Sequence, residues 1–212
     1  MSEEVEIAIE NNLMSFGSKS DERYKPGIYN VSELIYCPRK AYLYRKYGVT
    51  PRANGKMLAG TLVHEKLPEI LKNIKEFKEA KFEQEARVVL DDITIVGHAD
   101  IVTKDCVYEF KFSAAKLTKD EYPIHFVMQA NAYAAMFNKP KWAVIVTNSY
   151  SLKTTIMRGK KDPIAFDMIK ETAQLIDHAL KYNLKLDGPK YKWECRYCDV
   201  IKECREEDGH VE

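Results

Sequence analysis

Apolar and polar residues alternate most clearly between positions 82 and 112. Phe82–Leu90, Asp92–Thr103 and Cys106–Phe112 are rich in Val, Ile, Tyr and Phe, and they read as three consecutive strands. Helical patterns bracket them. One begins at Asn30, with Asn30 and Ser32 as cap candidates, is interrupted at Cys37-Pro38 and stops at Gly48. Lys56–Phe77 is a second helical region, in which Pro68 marks a kink or a restart. Ile124–Phe137 is an alanine-rich helix closed by Asn138-Lys139-Pro140, and Ala130, Ala134 and Ala135 let it lie close against a sheet. Trp142–Thr147 is a nearly continuous apolar strand of the kind buried on both faces, followed by a polar strand around Lys153–Arg158. Asp162-Pro163 places a cap before a proline at the first helical position and opens an amphipathic helix to about Asn183. Residues 1–25 carry no firm pattern and read as a leader. The elements together predict an α/β fold with a mixed central sheet flanked by helices.

The strand hairpin gathers the first candidate chemistry. With its tip at Lys104-Asp105, Asp100 faces Glu109 directly. Opposed residues have Cβ atoms roughly 5 Å apart, and the side-chain period of two puts Lys111 on the same face. Two carboxylates that close repel each other unless a cation lies between them. Asp100 with Glu109-Phe110-Lys111 therefore reads as a metal site with a cationic helper, although surface hairpins also carry charge on their solvent face. Three further residues join it. His64 lies on the second helix, where Gly60 one turn earlier would allow close approach to another element. Gln129 and Tyr133, spaced i,i+4, share one face of the alanine-rich helix. His98 has the parity of Asp100 and acquires no role.

Composition narrows the setting. The chain has 212 residues, enough to bury a core as one unit without disulfides. No apolar run is long enough to span a bilayer and no signal-peptide pattern is present, which predicts a cytoplasmic protein with no membrane partner. A net charge of +1 excludes a globally basic nucleic-acid binder, so any DNA contact must come from a local groove. Acidic residues near both ends (Glu3, Glu4, Glu6, Glu10; Glu206, Glu207, Asp208) offset such a groove or form frayed, solvated termini. The stretch Tyr36, Arg39, Lys40, Tyr42, Tyr44, Arg45, Lys46, Tyr47 interleaves bases with aromatics as single-strand binders do. More often such a helix buries its tyrosines and shows its cations to solvent.

Five cysteines in an intracellular chain point to metal or catalysis rather than disulfides. Cys195-x2-Cys198-x5-Cys204 has tight ligand spacing, and Cys37 is the natural fourth ligand. Cys106, on the hairpin face opposite the acidic pair, reads as a buried apolar thiol. Spacing alone leaves zinc and an iron–sulfur cluster equally open.

In order along the chain stand Gly60-x3-His64, Gly97-x2-Asp100, Glu109-x-Lys111 and Gln129-x3-Tyr133. This succession resembles the RecB-like branch of the PD-(D/E)XK nuclease superfamily, with its restriction-endonuclease-like core. One N-terminal and three C-terminal cysteines bracketing it look like the iron–sulfur nucleases, the CRISPR-associated Cas-four family and the AddB nuclease domain. The size of the chain and the segment Ser32–Lys40 favour the Cas-four family. The resemblance implies an N-terminal part with one cluster cysteine (1–55), a nuclease core (56–185) and a cysteine segment (186–212) that closes a [4Fe–4S] cluster through Cys37, Cys195, Cys198 and Cys204. It also implies Mn²⁺ or Mg²⁺ held by His64, Asp100, Glu109 and the Phe110 carbonyl. Asp100, Glu109, Lys111, Gln129 and Tyr133 would be catalytic. Lys111 would orient or deprotonate the attacking water, or neutralise the transition state. The implied substrate is single-stranded DNA cut from a 5′ end beside the CRISPR integrase, and a homo-oligomer is compatible with this. A non-catalytic nucleic-acid-binding accessory module and a viral or repair nuclease of the same build are the competing readings.

Overall fold

The computed structural model describes residues 3–17, 24–51, 54–114 and 122–208; residues 18–23 of the expected leader and 209–212 of the expected tail lie outside them. The organising strand is β3 (Ile93–Val102). Along its whole length it pairs antiparallel with β2 (Lys81–Leu90). Its other edge is shared. β4 (Cys106–Ser113) pairs antiparallel only with Ile101 and Val102, and β1 (Ile28–Asn30) pairs parallel with Thr94–Val96. The register Ile101↔Tyr108 and Val102↔Val107 is the one expected from a tip at Lys104-Asp105. Beyond β4 the sheet continues through β5 (Lys141–Asn148, parallel to β4) and β6 (Thr154–Lys160, antiparallel to β5), so it is mixed.

Helices cover both faces. α2 (Val31–Leu34) and α3 (Pro38–Tyr47) are separated at Cys37-Pro38 as expected, and α3 ends on Gly48 in the left-handed conformation. α4 (Gly55–Leu71) runs through Pro68, and a separate 3-10 turn follows at Lys75–Phe77. Leu67 of α4 and Phe77 pack with Cys106, Tyr108 and Phe110, so Cys106 is the buried apolar thiol expected. Glu109 and Lys111, at the alternate positions of β4, turn to the other face. α5 (Ile124–Met136) lies against β5: Ala130 and Ala134 are fully buried with Trp142, Val144 and Val146, while Ala135 is only half-buried. α6 (Pro163–Tyr182) opens on the Asp162 cap and ends at Asn183, also left-handed. A 3-10 turn at Lys192–Tyr197 and α7 (Ile201–Glu207) complete the chain.

Three differences from the sequence reading concern what fixes these elements. Residues Glu3–Gly17 form a helix, α1; Val5, Ile7 and Ile9 alternate rather than follow a 3.6 period, so the pattern conceals it. β1 has three residues and finds its partner only in three dimensions. The close approach expected at Gly60 is absent, since a side chain there would meet nothing. It occurs at Gly97 instead, where an added Cβ would lie 2.8 Å from Met136 Sδ and 3.0 Å from a Tyr133 ring carbon. Gly97→Val is therefore expected to force α5 off β3 at a cost of about 1–3 kcal/mol. Urea denaturation read by circular dichroism measures it, and an unchanged midpoint would refute the close-packing argument.

The C-terminal segment is latched to α3 rather than frayed. Arg39 donates to both Asp208 carboxylate oxygens (3.0 and 3.1 Å) and to the Cys204 carbonyl (2.8 Å). Tyr44 donates to Asp199 (2.9 Å), and Lys46 pairs with Glu207 (2.6 Å). Arg39, Tyr42, Tyr44 and Arg45 are buried, so that part of the basic-aromatic stretch is a core helix face, while Tyr36 and Lys40 are half-buried and Lys46 and Tyr47 exposed.

Candidate active site

The fork between β3 and β4 opens at Asp100. One residue beyond the Ile101↔Tyr108 pair the ladder stops, and the Phe110 N–H donates to Asp100 Oδ2 (2.6 Å) instead of to a strand carbonyl. A side chain thus replaces a backbone acceptor, and the second Asp100 oxygen is turned to His64, 2.9 Å from its Nδ1. α4 supplies His64, whose ring also packs edge-on against Phe110.

Glu109 and Lys111 emerge from β4 into the fork. Lys111 Nζ donates to Glu109 Oε1 (2.6 Å) and to Gln129 Oε1 (2.9 Å) of α5. Gln129 in turn donates to the Tyr133 hydroxyl (3.0 Å), so the i,i+4 pair acts as a relay holding the lysine. Asp100, Glu109, Gln129 and Tyr133 are all buried. The structure thus brings together every residue expected here: His64, Asp100, Glu109, Phe110, Lys111, Gln129 and Tyr133. His98 stands apart, paired with Glu85 (2.9 Å) across the β2–β3 hairpin.

One acid was not anticipated. Glu83 Oε1 lies 3.9 Å from His64 Nδ1, and ligand atoms of His64, Glu83 and Asp100 all fall within 4.8 Å of one another. Glu83 sits on β2 opposite Asp100 with φ +49°, where the β2–β3 ladder skips one pair. Glu83 and Asp100, from adjacent strands, thus converge on one imidazole, and the Glu109 carboxyl of β4 feels the charges of Asp100 and His64. The signal was present in the sequence: Asp91-Asp92 marks a second hairpin tip, and its register puts Glu83 across from Asp100.

The electrostatics are those of a site built for a cation. Burial, reinforced by the Asp100 charge, raises the Glu109 carboxyl above the usual range, against the pull of Lys111 and His64. Burial opposes the charged form of His64, yet its hydrogen bonds and charge interactions with Asp100 and Glu83 raise it to about 10. Burial likewise opposes the Lys111 ammonium, and the charges of Glu109 and Asp100 overcome it and raise its pKa. Glu109 Oε2 is buried with no hydrogen-bond partner. A buried carboxylate oxygen left unsatisfied costs about 1–3 kcal/mol or more, and a divalent cation removes that cost. The donor set, three carboxylates and an imidazole, fits Mn²⁺ or Mg²⁺. Because metal ligation requires these groups deprotonated, Mn²⁺ binding at neutral pH is expected to release protons. Titration calorimetry in buffers of differing ionisation enthalpy reads the release; a heat independent of buffer would contradict it.

The four cysteines expected as ligands lie at the N-cap of α3 (Cys37), in the 3-10 turn Lys192–Tyr197 and just after it (Cys195, Cys198) and on α7 (Cys204). Cys37, just before Pro38, interacts electrostatically with Cys198, and Cys198 and Cys204 with Cys195 and with each other. All are free thiols. Burial, with the nearby Glu194 and Cys198 charges, pushes Cys37 up to about 11, and burial raises Cys198 and Cys204. Glu194 organises the approach, accepting from the Cys37 N–H (3.0 Å) and the Tyr191 N–H (3.0 Å). Among the described residues the group whose ligand atoms fall within 4.8 Å of one another is His64, Glu83 and Asp100, and the cysteines do not form such a group.

The fold is one found among solved nuclease structures. The chain is similar to the alkaline exonuclease LHK-Exo from Laribacter hongkongensis, at 10% identity over 82% of this chain and 94% of that one, with a TM-score of 0.53. The complex of LHK-Exo with dAMP gives 0.54 at 9% identity. It is also similar to the crystal structure of SSO0001, at 20% identity over 96% of both chains and a TM-score of 0.64. In sequence, residues 29–110 match the family described as DNA replication factor Dna2. That span holds His64, Glu83, Asp100 and Glu109. No curated protein matches the chain. Among the described residues no helix is long and apolar enough to cross a membrane.

Proposed function

We propose that this chain is a divalent-metal-dependent DNA nuclease, an exonuclease that cuts single strands from a 5′ end. The observation that carries the reading is the unpartnered, buried Glu109 oxygen beside Asp100 and His64. Support for DNA as substrate comes from the fold shared with LHK-Exo and from the description of the family matched by residues 29–110.

His64, Asp100, Glu109 and the Phe110 carbonyl would hold Mn²⁺ or Mg²⁺, with Glu83 at its edge. When bound, such an ion lowers the pKa of a water and polarises a phosphoryl oxygen. The chain's own part is positional and electrostatic. Lys111 is fixed by Glu109 and Gln129, with Tyr133 behind Gln129, so its ammonium is aimed without reorganisation at negative charge that develops near Glu109. Asp100, holding the Phe110 N–H, keeps the fork open for a phosphate to enter.

Cys37, Cys195, Cys198 and Cys204 would hold a [4Fe–4S] cluster that closes the C-terminal segment onto α3. The setting we propose is CRISPR adaptation, with the chain trimming DNA beside the integrase; the support for it is the resemblance of Ser32–Lys40 and of the cysteine order to the CRISPR-associated Cas-four family. The experiment is cleavage of 5′- and 3′-end-labelled single-stranded DNA in Mn²⁺ and in Mg²⁺, with a chelator control. Activity should be higher in Mn²⁺, because imidazole suits later metals than Mg²⁺. Equal or higher activity in Mg²⁺ would remove His64 from the ligand set, and no cleavage with either ion would end the nuclease reading.

A further inference from the structure

Near Lys111 lies a group of aromatic rings, half of which come from the cysteine-bearing segment. Tyr36, between α2 and α3, packs against His125 (centroids 5.4 Å) and Trp193 (6.2 Å). His125, at the start of α5, packs against Trp193 (5.9 Å) and Tyr191 (5.5 Å). Tyr191 and Trp193 are stacked at 6.1 Å with 19° between their planes. Lys111 Nζ lies 5.4 Å from the centre of the Phe126 ring, which packs against His125 (4.6 Å), so the wall stands one ring away from the catalytic ammonium. Burial, then that charge, pushes His125 down to about 4, so its ring is a neutral plate at ordinary pH.

Tyr36 and Trp193 also line a cavity of about 410 Å³, together with Lys40, Tyr44 and Tyr197. Trp193 is 46% exposed and Tyr197 67% exposed, in contrast to the buried tyrosines of α3. Of the acids around the cavity Glu33 is paired with the Arg45 cation (2.7 Å), whereas Glu194 and Asp199 accept from neutral donors and keep their charge, against which stand Lys40 of the cavity and Lys190 and Lys192 of the segment. In sequence the segment alternates cations with rings: Lys190, Tyr191, Lys192, Trp193, then Arg196 and Tyr197. This is the arrangement by which single-strand binders combine phosphate contact with base stacking.

We propose that this wall, centred on Trp193, stacks the unpaired bases that flank the scissile phosphate, making the cysteine segment part of the DNA grip. The proposal rests on the nuclease reading of the neighbouring site and adds the source of its strand preference. An aromatic face takes only a base that has left its own stack, so the wall favours single strands over duplex.

The test is binding of labelled oligodeoxythymidine, and of a blunt duplex as reference, to the holoprotein with the catalytic ion chelated, read by fluorescence anisotropy. Trp193→Leu keeps apolar bulk and removes the aromatic face; Trp193→Phe keeps a face. Single-strand affinity should fall about ten- to a hundredfold in the leucine variant, the worth of a stacked base. It should stay within about threefold in the phenylalanine variant, with duplex binding unchanged in both. Unaltered single-strand binding by Trp193→Leu overturns the proposal, as does an equal loss for single strand and duplex. Because cleavage plays no part in this readout, the two readings fail separately. A wild-type protein that shows the stacking loss in Trp193→Leu but never cuts DNA keeps the wall and loses the nuclease. One that cuts DNA but binds the same in Trp193→Leu loses the wall alone.

Discussion

Lys111→Ala is expected to lower cleavage of single-stranded DNA about a hundred- to a thousandfold at saturating Mn²⁺, the range for removing one preorganised donor from a buried site. The Lys111 backbone pairs with Val146 in the sheet and is kept in the alanine variant; only the ammonium, held between Glu109 and Gln129, is lost. Removing it leaves Glu109 buried without its cation, and breaking a buried pair ordinarily costs about 3–5 kcal/mol if the remaining group stays charged. Glu109 escapes most of that cost by keeping its proton, since burial already raises its pKa. The metal-free variant should therefore fold and should bind DNA as the wild type does. Single-turnover cleavage and anisotropy in chelator check the two halves. A Lys111→Ala protein that cleaves within tenfold of wild type would deny Lys111 a part in the reaction.

Cys37→Ser carries the largest expected effect on stability. If Cys37 shares a cluster with Cys195, Cys198 and Cys204, the link closes a loop of well over a hundred residues. Chain entropy alone makes a cross-link across about a hundred residues worth roughly 4–5 kcal/mol. In a chain of this size that corresponds to a melting temperature lower by about 10 °C or more. The partly buried bonds of Arg39 to Asp208 and Tyr44 to Asp199 would persist, as would the exposed Lys46–Glu207 pair, itself worth about 1 kcal/mol or less. Thermal melting of anaerobically purified protein, with visible absorbance and metal analysis, reads this. A wild-type protein holding zinc and no iron would replace the cluster by a zinc site. An unchanged melting temperature in Cys37→Ser would remove Cys37 from it.

The parts legible in the sequence are those fixed by local pattern. β2, β3 and β4 follow from alternation, and the Lys104-Asp105 tip sets a register that the observed Ile101↔Tyr108 pair obeys. α6 follows from its Asp162 cap and proline start. His64, Gln129 and Tyr133 could be set beside Asp100, Glu109 and Lys111 only because their order resembles a known family; no periodicity joins α4 and α5 to the hairpin. Glu83 was missed because a glutamate on a strand that alternates exposed and half-buried looks like an ordinary surface charge. Neither β1 nor α1 announces itself, one being too short and the other lacking a helical stripe. The wall of Tyr36, His125, Tyr191 and Trp193 draws on three separate segments, and only packing reveals that these rings come together.

The fork has a practical corollary for anyone who wants an inert version of this protein. Asp100 is at once a ligand candidate and the acceptor that caps the Phe110 N–H where β4 leaves β3. Alanine at position 100 would strip away charge and acceptor together and invite the two strands to zip further or part. Asparagine can offer its amide oxygen to the same N–H while carrying no charge. Silencing the chemistry and preserving the cleft are thus separable at this one position, and the choice between two common substitutions decides whether a trapped substrate sits in the native opening or in a remodelled one.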